Sequence, residues 1–240
     1  MPNPSPASGP AATAAPESTP LHPATATVTL AGEHVVLSAR RALYWPRERT
    51  VFVADVHLGK AASFRAGGVP VPRGSTAADL QRLAALVTEY AATRLVVLGD
   101  FIHAAAGRVP ALDTAFRAWR RTQPGLSLLL VRGNHDERAG DPPPAWNVDV
   151  VPAPHLAAPF LLCHEPNEPP TGYALCGHVH PGVRVAADGD SARLPCFVLG
   201  RRRALLPAFG RMTGLALTRA TPGETRVAIA GARLFTLPPA

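Results

Sequence analysis

Five short polar motifs, each placed directly after an apolar run, constrain this chain more than anything else in it. In order they are Asp55-Val56-His57, Gly99-Asp100, Gly133-Asn134-His135-Asp136, His164 and Gly177-His178-Val179-His180. The runs before them, residues 51–54, 95–98, 128–131, 160–163 and 173–176, are β-branched, leucine-rich or aromatic and read as buried strands. A buried strand that ends in Asp, Asn or His delivers a polar group to a sheet edge, where open α/β sheets collect their ligands. Any fold for this chain has to bring five strand ends to one place.

The rest of the pattern sorts around those ends. Residues 1–26 are almost entirely Pro, Ala, Ser and Thr, without a cationic start or a long apolar run, and read as a disordered leader before a single domain over 27–240. Strand-like stretches follow from residue 27 to 54. Residues 58–74, punctuated by Gly and Pro, read as a loop. A helix is expected over 76–92, opened by a capping-box-like Thr76-Ala77-Ala78-Asp79, with Leu80, Leu83, Val87 and Tyr90 on one face. Leu112, Phe116 and Trp119 mark a second helix, stopped by Pro124-Gly125. Beyond the prolines at 142–144 only short strands are expected, at 148–151, 160–163, 172–176, 183–187, 196–199, 204–206, 213–219, 226–230 and 233–236. Helices first and strands later predict two packed sheets with helices outside, a layered α/β sandwich.

The polar motifs make a hard-ligand set. Hydrolysing a phosphodiester takes a strong nucleophile at neutral pH and charge to offset the phosphoryl oxygens. Two divalent ions about 3.5–4 Å apart supply both by acidifying a bound water and clamping the attacked group. Asp100 is the natural bridge between two ions, with Asp55, His57 and His180 completing one and Asn134, His164 and His178 the other. In a strand, residues i and i+2 share a face, so Asp-x-His and His-x-His are expected to aim both side chains at one pocket. Gly99, Gly133 and Gly177 would let the backbone pass close to the ions.

Composition sets the surroundings. No stretch approaches the roughly 20 apolar residues of a membrane span. Cys163, Cys176 and Cys196 lie scattered in apolar runs and make no disulfide framework, which points to a reducing cytoplasm. The net charge is +7, and Lys60 is the sole lysine. Such an excess suits a polyanionic partner without naming one.

With these residues in view, the chain resembles the calcineurin-like metallophosphoesterases, whose motif order is D-x-H, G-D, G-N-H-[DE], H and G-H-x-H. The resemblance covers residues 50–182. It implies a four-layer αββα sandwich of two mixed sheets, a dinuclear Mn centre (Fe or Zn as alternatives), the ligands assigned above, and attack of a metal-bound hydroxide on phosphorus. It also implies that His135 is not a ligand but donates a hydrogen bond or proton to the leaving oxygen. Many members carry G-D-x-x-D-R, where the later Asp orients that histidine. Here the segment is Gly99-Asp100-Phe101-Ile102-His103-Ala104, which leaves His103 or Asp136 to do it.

A narrower similarity runs through residues 54–60 and 64–74, and again through Cys196-Phe197-Val198-Leu199-Gly200, Arg201-Arg202-Arg203 and residues 205–209. It is to the ligase-associated DNA damage response phosphoesterases, the PdeM group. This implies a bacterial repair endonuclease acting on DNA beside a DNA ligase and a helicase. Lys60, Arg65 and Arg73 follow the strand end that carries Asp55 and His57 and are candidate phosphate contacts. Arg201 to Arg203 reads as a solvated turn. Two other readings keep the same motifs: a small-molecule phosphoesterase acting on a nucleotide-sugar, cyclic nucleotide or phosphomonoester, and a non-catalytic scaffold.

Overall fold

Strands buried on both faces must pack against something on each side, and alternate side chains of the central runs do so. In the computed structural model, which describes residues 23–169, 171–187, 190–219 and 221–239, Val51, Val53, Leu95, Val97, Leu128 and Leu130 face a helical layer. Their neighbours Phe52, Ala54, Val96, Leu98, Leu129 and Val131 face a second sheet, where they meet Phe160, Leu162, Leu175, Phe197 and Ala204. That double burial is why the runs are continuously apolar rather than alternating.

Among the described residues the strands form two sheets. The first has seven strands in sequence order: β1 Thr25–Leu30, β2 Glu33–Ser38, β3 Ala42–Trp45, β4 Thr50–Val53, β5 Arg94–Leu98, β6 Ser127–Val131 and β7 Asp149–Val151. β1 to β4 are an antiparallel meander, whereas β4 to β7 run parallel. Parallel neighbours need crossovers, and helices provide them: α1 Lys60–Ala66 and α2 Ser75–Glu89 between β4 and β5, α3 Pro110–Arg121 between β5 and β6, and α4 Asn134–Ala139 between β6 and β7. The second sheet holds β8 His155–Ala157, β9 Phe160–Leu162, β10 Tyr173–Cys176, β11 Pro181–Ala187, β12 Asp190–Leu199, β13 Arg203–Leu205, β14 Ala216–Leu217, β15 Thr225–Ala230 and β16 Arg233–Thr236. Its path is β14-β11-β12-β13-β10-β9-β8, with β15 and β16 branching from β12. β10 is parallel to both β9 and β13.

The α/β sandwich of two mixed sheets therefore forms as expected. All described α-helices precede Asp149 and cover the first sheet. The outer face of the second sheet is small (Cys163, Ala174, Cys176, Cys196, Ala228) and is closed by Val185, Leu194, Phe235 and Leu237.

Several local expectations change. The 58–74 loop contains α1, two turns long with only Ala61 buried, too short for a periodic signature. α2 begins at Ser75 behind the left-handed Gly74, and no side chain caps it; Asp79 instead binds Arg82, 2.9 Å away. The six-residue α4 and the edge strand β8 are too short to show a period in the sequence, and β14 spans two residues rather than seven. Of the expected leader, residues 1–22 lie outside the described residues, and Thr25 and Ala26 already belong to β1.

Beneath the helical layer, Trp146 is fully buried and stacks on Phe116 with centroids 4.0 Å apart, while Phe101, next to Asp100, meets both edge-on. The Trp146 indole N–H donates to Asp113 Oδ1 at 2.7 Å. Trp146→Ala is expected to cost about 3–5 kcal/mol in denaturant unfolding. Trp146→Phe, which keeps the stack and releases a half-exposed carboxylate to water, should cost about 1–2 kcal/mol.

Candidate metal centre

The parallel strands β4, β5 and β6 end on the same edge, and β9 and β10 of the facing sheet end opposite them. The polar motifs thus converge at the seam between the sheets. Strand alternation is not what aims them. β4 stops at Val53 and β10 at Cys176, and the ligands beyond sit in left-handed backbone: Asp55 φ 54, His57 φ 51, Asp100 φ 53, His178 φ 69 and His180 φ 52. Side chains two apart converge here because a left-handed residue recurs at every second position. Such residues are uncommon outside glycine and concentrate where function requires them.

Two groups result. Asp55, His57 and His180 bring their ligand atoms within 4.8 Å of one another, as do Asp100, His164 and His178. Asn134 joins the second group, its Oδ1 lying 3.0 Å from His164 Nε2. Asp100 stands between them, with Oδ2 3.7 Å from His57 Nε2 and Oδ1 3.3 Å from His164 Nε2. His57 Nε2 and His180 Nε2 are 3.4 Å apart, and His180 Nε2 lies 3.5 Å from Asp55 Oδ1. All seven expected ligands are brought together.

The donor chemistry tests whether cations fit. His164 Nδ1 lies 3.0 Å from the Leu98 carbonyl oxygen, which only accepts, so the ring proton is on Nδ1. Where that ring is neutral, Nε2 is a lone pair facing the Asn134 and Asp100 oxygens, which are lone pairs too, with His178 Nδ1 also 3.0 Å away. Three acceptors converging in a buried site are stabilised by a cation. His57 is held in the ligating, neutral form: burial first, then the charges of Lys60 and neighbouring histidines, push its pKa down to about 2. Backbone donors steady the carboxylates. The His178 N–H reaches both Asp55 oxygens at 3.1 and 3.0 Å, and the His135 N–H reaches Asp100 Oδ1 at 3.0 Å.

The remaining candidates separate. His135 donates Nδ1–H to the backbone carbonyl of His103 at 2.6 Å, leaving Nε2 on the open side, 3.9 Å from Asp100 Oδ2. The Nδ1–H of this ring is taken by the His103 main chain, not by the Asp136 carboxylate. The His103 imidazole stacks on His135 and sits 3.2 Å from His57 Nδ1, with burial and then Lys60 lowering its pKa to about 4. Asp136 is fully buried, its two oxygens taken by the N–H groups of Ile102 and Gly133 at 2.9 and 3.0 Å. It ties the second motif to the third. Lys60, half-buried in the first turn of α1, is lowered by burial while Asp100 and Asp55 partly restore it, which places its ammonium in their field. Arg65 is spent on the Val71 and Pro72 carbonyls, and among the described residues no bond joins it or Arg73 to the cluster. In the 201–203 turn, Arg203 is bound by Glu224 and Glu168 at 3.2 and 3.4 Å.

The calcineurin-like phosphoesterase family model matches residues 48–174, the stretch that carries all the motifs except the last two histidines. This chain belongs to that family. It is a metal-dependent phosphoester hydrolase, and the family's centre is dinuclear. Among solved structures, the Pseudomonas putida nuclease MPE is 39% identical, with a TM-score of 0.78, over 89% of this phosphoesterase chain and 100% of that one. Yfce, a phosphoesterase from E. coli, aligns at 14% identity and a TM-score of 0.36 over 76% of this chain and 88% of that one, a likeness too slight to weigh. A comparison with curated proteins gives no match.

Gly99 shows how tightly this phosphoesterase centre is framed. Its φ is +76, and a Cβ there would lie 2.1 Å from His164 Nδ1. Gly99→Ala is expected to displace His164, to lower bound metal from two ions per chain towards one by elemental analysis, and to cost on the order of 2–4 kcal/mol in unfolding. Unchanged metal content would refute this.

Proposed function

We propose that this phosphoesterase is a Mn-dependent DNA endonuclease of bacterial repair, working in the cytoplasm beside a DNA ligase and a helicase. The observation that carries the nuclease reading is the 39% identity with the P. putida nuclease across that whole protein. The net charge of +7 supports a polyanionic substrate. The all-free, buried cysteines, and the lack among the described residues of a helix long and apolar enough to cross a membrane, are compatible with the cytoplasm. The ligase and helicase come from the sequence resemblance alone.

In this reading Asp55, His57 and His180 would hold one ion and Asn134, His164 and His178 the other, with Asp100 placed between the two groups. When bound, such ions acidify a water for attack on phosphorus and offset charge on the phosphoryl oxygens. The chain's own groups do the rest. With Nδ1–H fixed on the His103 carbonyl, His135 can exchange a proton only at Nε2, and it delivers that proton to the leaving oxygen. Lys60 adds positive charge where the anionic substrate arrives. Asp136 holds the Asp100 and Asn134 loops in register through main-chain bonds.

The test assays Mn-loaded protein on a chromogenic diester, a monoester, and nicked, gapped and single-stranded DNA. Cleavage of DNA and of the diester is expected. Efficient turnover of a nucleotide-sugar or cyclic nucleotide, with DNA left intact, would replace the nuclease reading by the small-molecule one. Asp100→Asn should lower turnover by roughly a thousandfold or more. His135→Ala should lower it by roughly 100- to 10,000-fold while elemental analysis still finds the wild-type metal content. Loss of an ion in that variant would make His135 a ligand instead.

A further inference from the structure

Beside the metal centre, four arginines from three elements converge on one cavity of about 650 Å3. Arg40 and Arg41 follow β2, Arg82 projects from α2, and Arg211 lies in the strap that follows β13. Arg41 and Arg82 are half-buried in the middle, whereas Arg40 and Arg211 are exposed. Two carboxylates answer them. Glu89 lies 3.0 Å from Arg40, and Asp79 lies 2.9 Å from Arg82. Arg41 donates to a carbonyl oxygen, that of Ala208, at 3.1 Å. Burial, reinforced by repulsion from Arg82 and Arg211, lowers its pKa. Positive charge is in excess here, and guanidinium forks match phosphodiester oxygens.

The strap joins this cavity to the metal ligands. On one edge Phe209 N–H donates to the Ala54 carbonyl at 2.8 Å and Gly210 N–H to the Asp55 carbonyl at 3.1 Å. On the other edge Arg82 donates to the Phe209 carbonyl at 2.7 Å, its guanidinium 4.0 Å from the centre of the Phe209 ring. The same short segment therefore braces Asp55, carries Arg211 and is gripped by Arg41 and Arg82. We propose that the cleft holds backbone phosphates of the nucleic-acid strand at a distance from the bond being cut. This extended strand-binding site rests on the nuclease reading above. Its four guanidinium groups line a cavity of about 650 Å3, which has room for more than one phosphate of a strand. Residues 1–22 carry one acid, Glu17, and do not match the charge.

The test uses the full Mn-loaded chain with Arg40→Ala and Arg211→Ala, singly and combined, on a long single-stranded oligonucleotide, a four-nucleotide one and a chromogenic diester. Melting temperature serves as the folding check, and Arg40→Gln or Arg211→Gln replaces any variant that melts early. The long strand should show a KM raised on the order of tenfold in the double variant and a salt slope flatter by roughly 0.7 for each phosphate no longer neutralised. Turnover of the short oligonucleotide and the diester should stay at wild-type level. If the long-strand KM and salt slope do not move while DNA is still cut, the cleft is not a strand site and the nuclease reading survives. If the wild type neither binds nor cuts DNA, both fall together. If ATP or inorganic polyphosphate alters diester hydrolysis in the wild type but not in the variants, the cleft is an effector site, and the strand assignment is overturned.

Discussion

Lone pairs that face one another at the seam between two sheets are the constraint on which this structure depends. Carboxylate, amide and imidazole acceptors crowd within a few ångströms, and without compensation their mutual repulsion would drive them apart. Cations resolve the repulsion once bound, but the arrangement has to be held beforehand. The chain holds it with main-chain groups: Leu98 and His103 carbonyls fix two imidazoles, and the N–H groups of His135 and His178 fix two carboxylates. Asp136 does the same one step further out, tying two loops through their backbones.

This division of labour decides what can be read from residues alone. The seven candidate ligands are legible because each is a distinctive side chain after a run that reads as a buried strand. The sandwich is legible for the same reason: runs apolar on both faces need cover on both. The hydrogen bond that fixes the His135 ring is not legible, because every residue has a carbonyl and nothing marks the one at His103 as special, whereas the His103 side chain, which the sequence does offer, stacks on that ring. Asp136 does carry a sign, an acid three residues after the glycine that precedes α4, but the helix it opens is too short to show a period. The convergence of Asp55 with His57 has a different cause from the one their spacing suggests. Alternation along a strand would produce it, yet the strand has already ended and left-handed backbone takes over.

The same logic explains the surface. Arg40, Arg41, Arg82 and Arg211 are scattered along the sequence, and in an arginine-rich chain none stands out. Only the fold, by laying the strap after β13 between α2 and the end of β2, gathers them. Conversely, Arg65 and the 201–203 turn look basic in sequence and prove to be partly engaged in holding their own neighbourhoods. Charge in the sequence and charge offered to a partner are different quantities, and hydrogen bonding to carbonyls and carboxylates separates them.

The single lysine gives the molecule an unusual chemical address. Its amine is half-buried within the field of Asp55 and Asp100, with a pKa below the ordinary lysine value. Because Lys60 is the sole lysine in 240 residues, side-chain acylation has one available target, at the rim of the metal centre. A covalent reporter can therefore be installed at that position in the unaltered sequence, without engineering a handle.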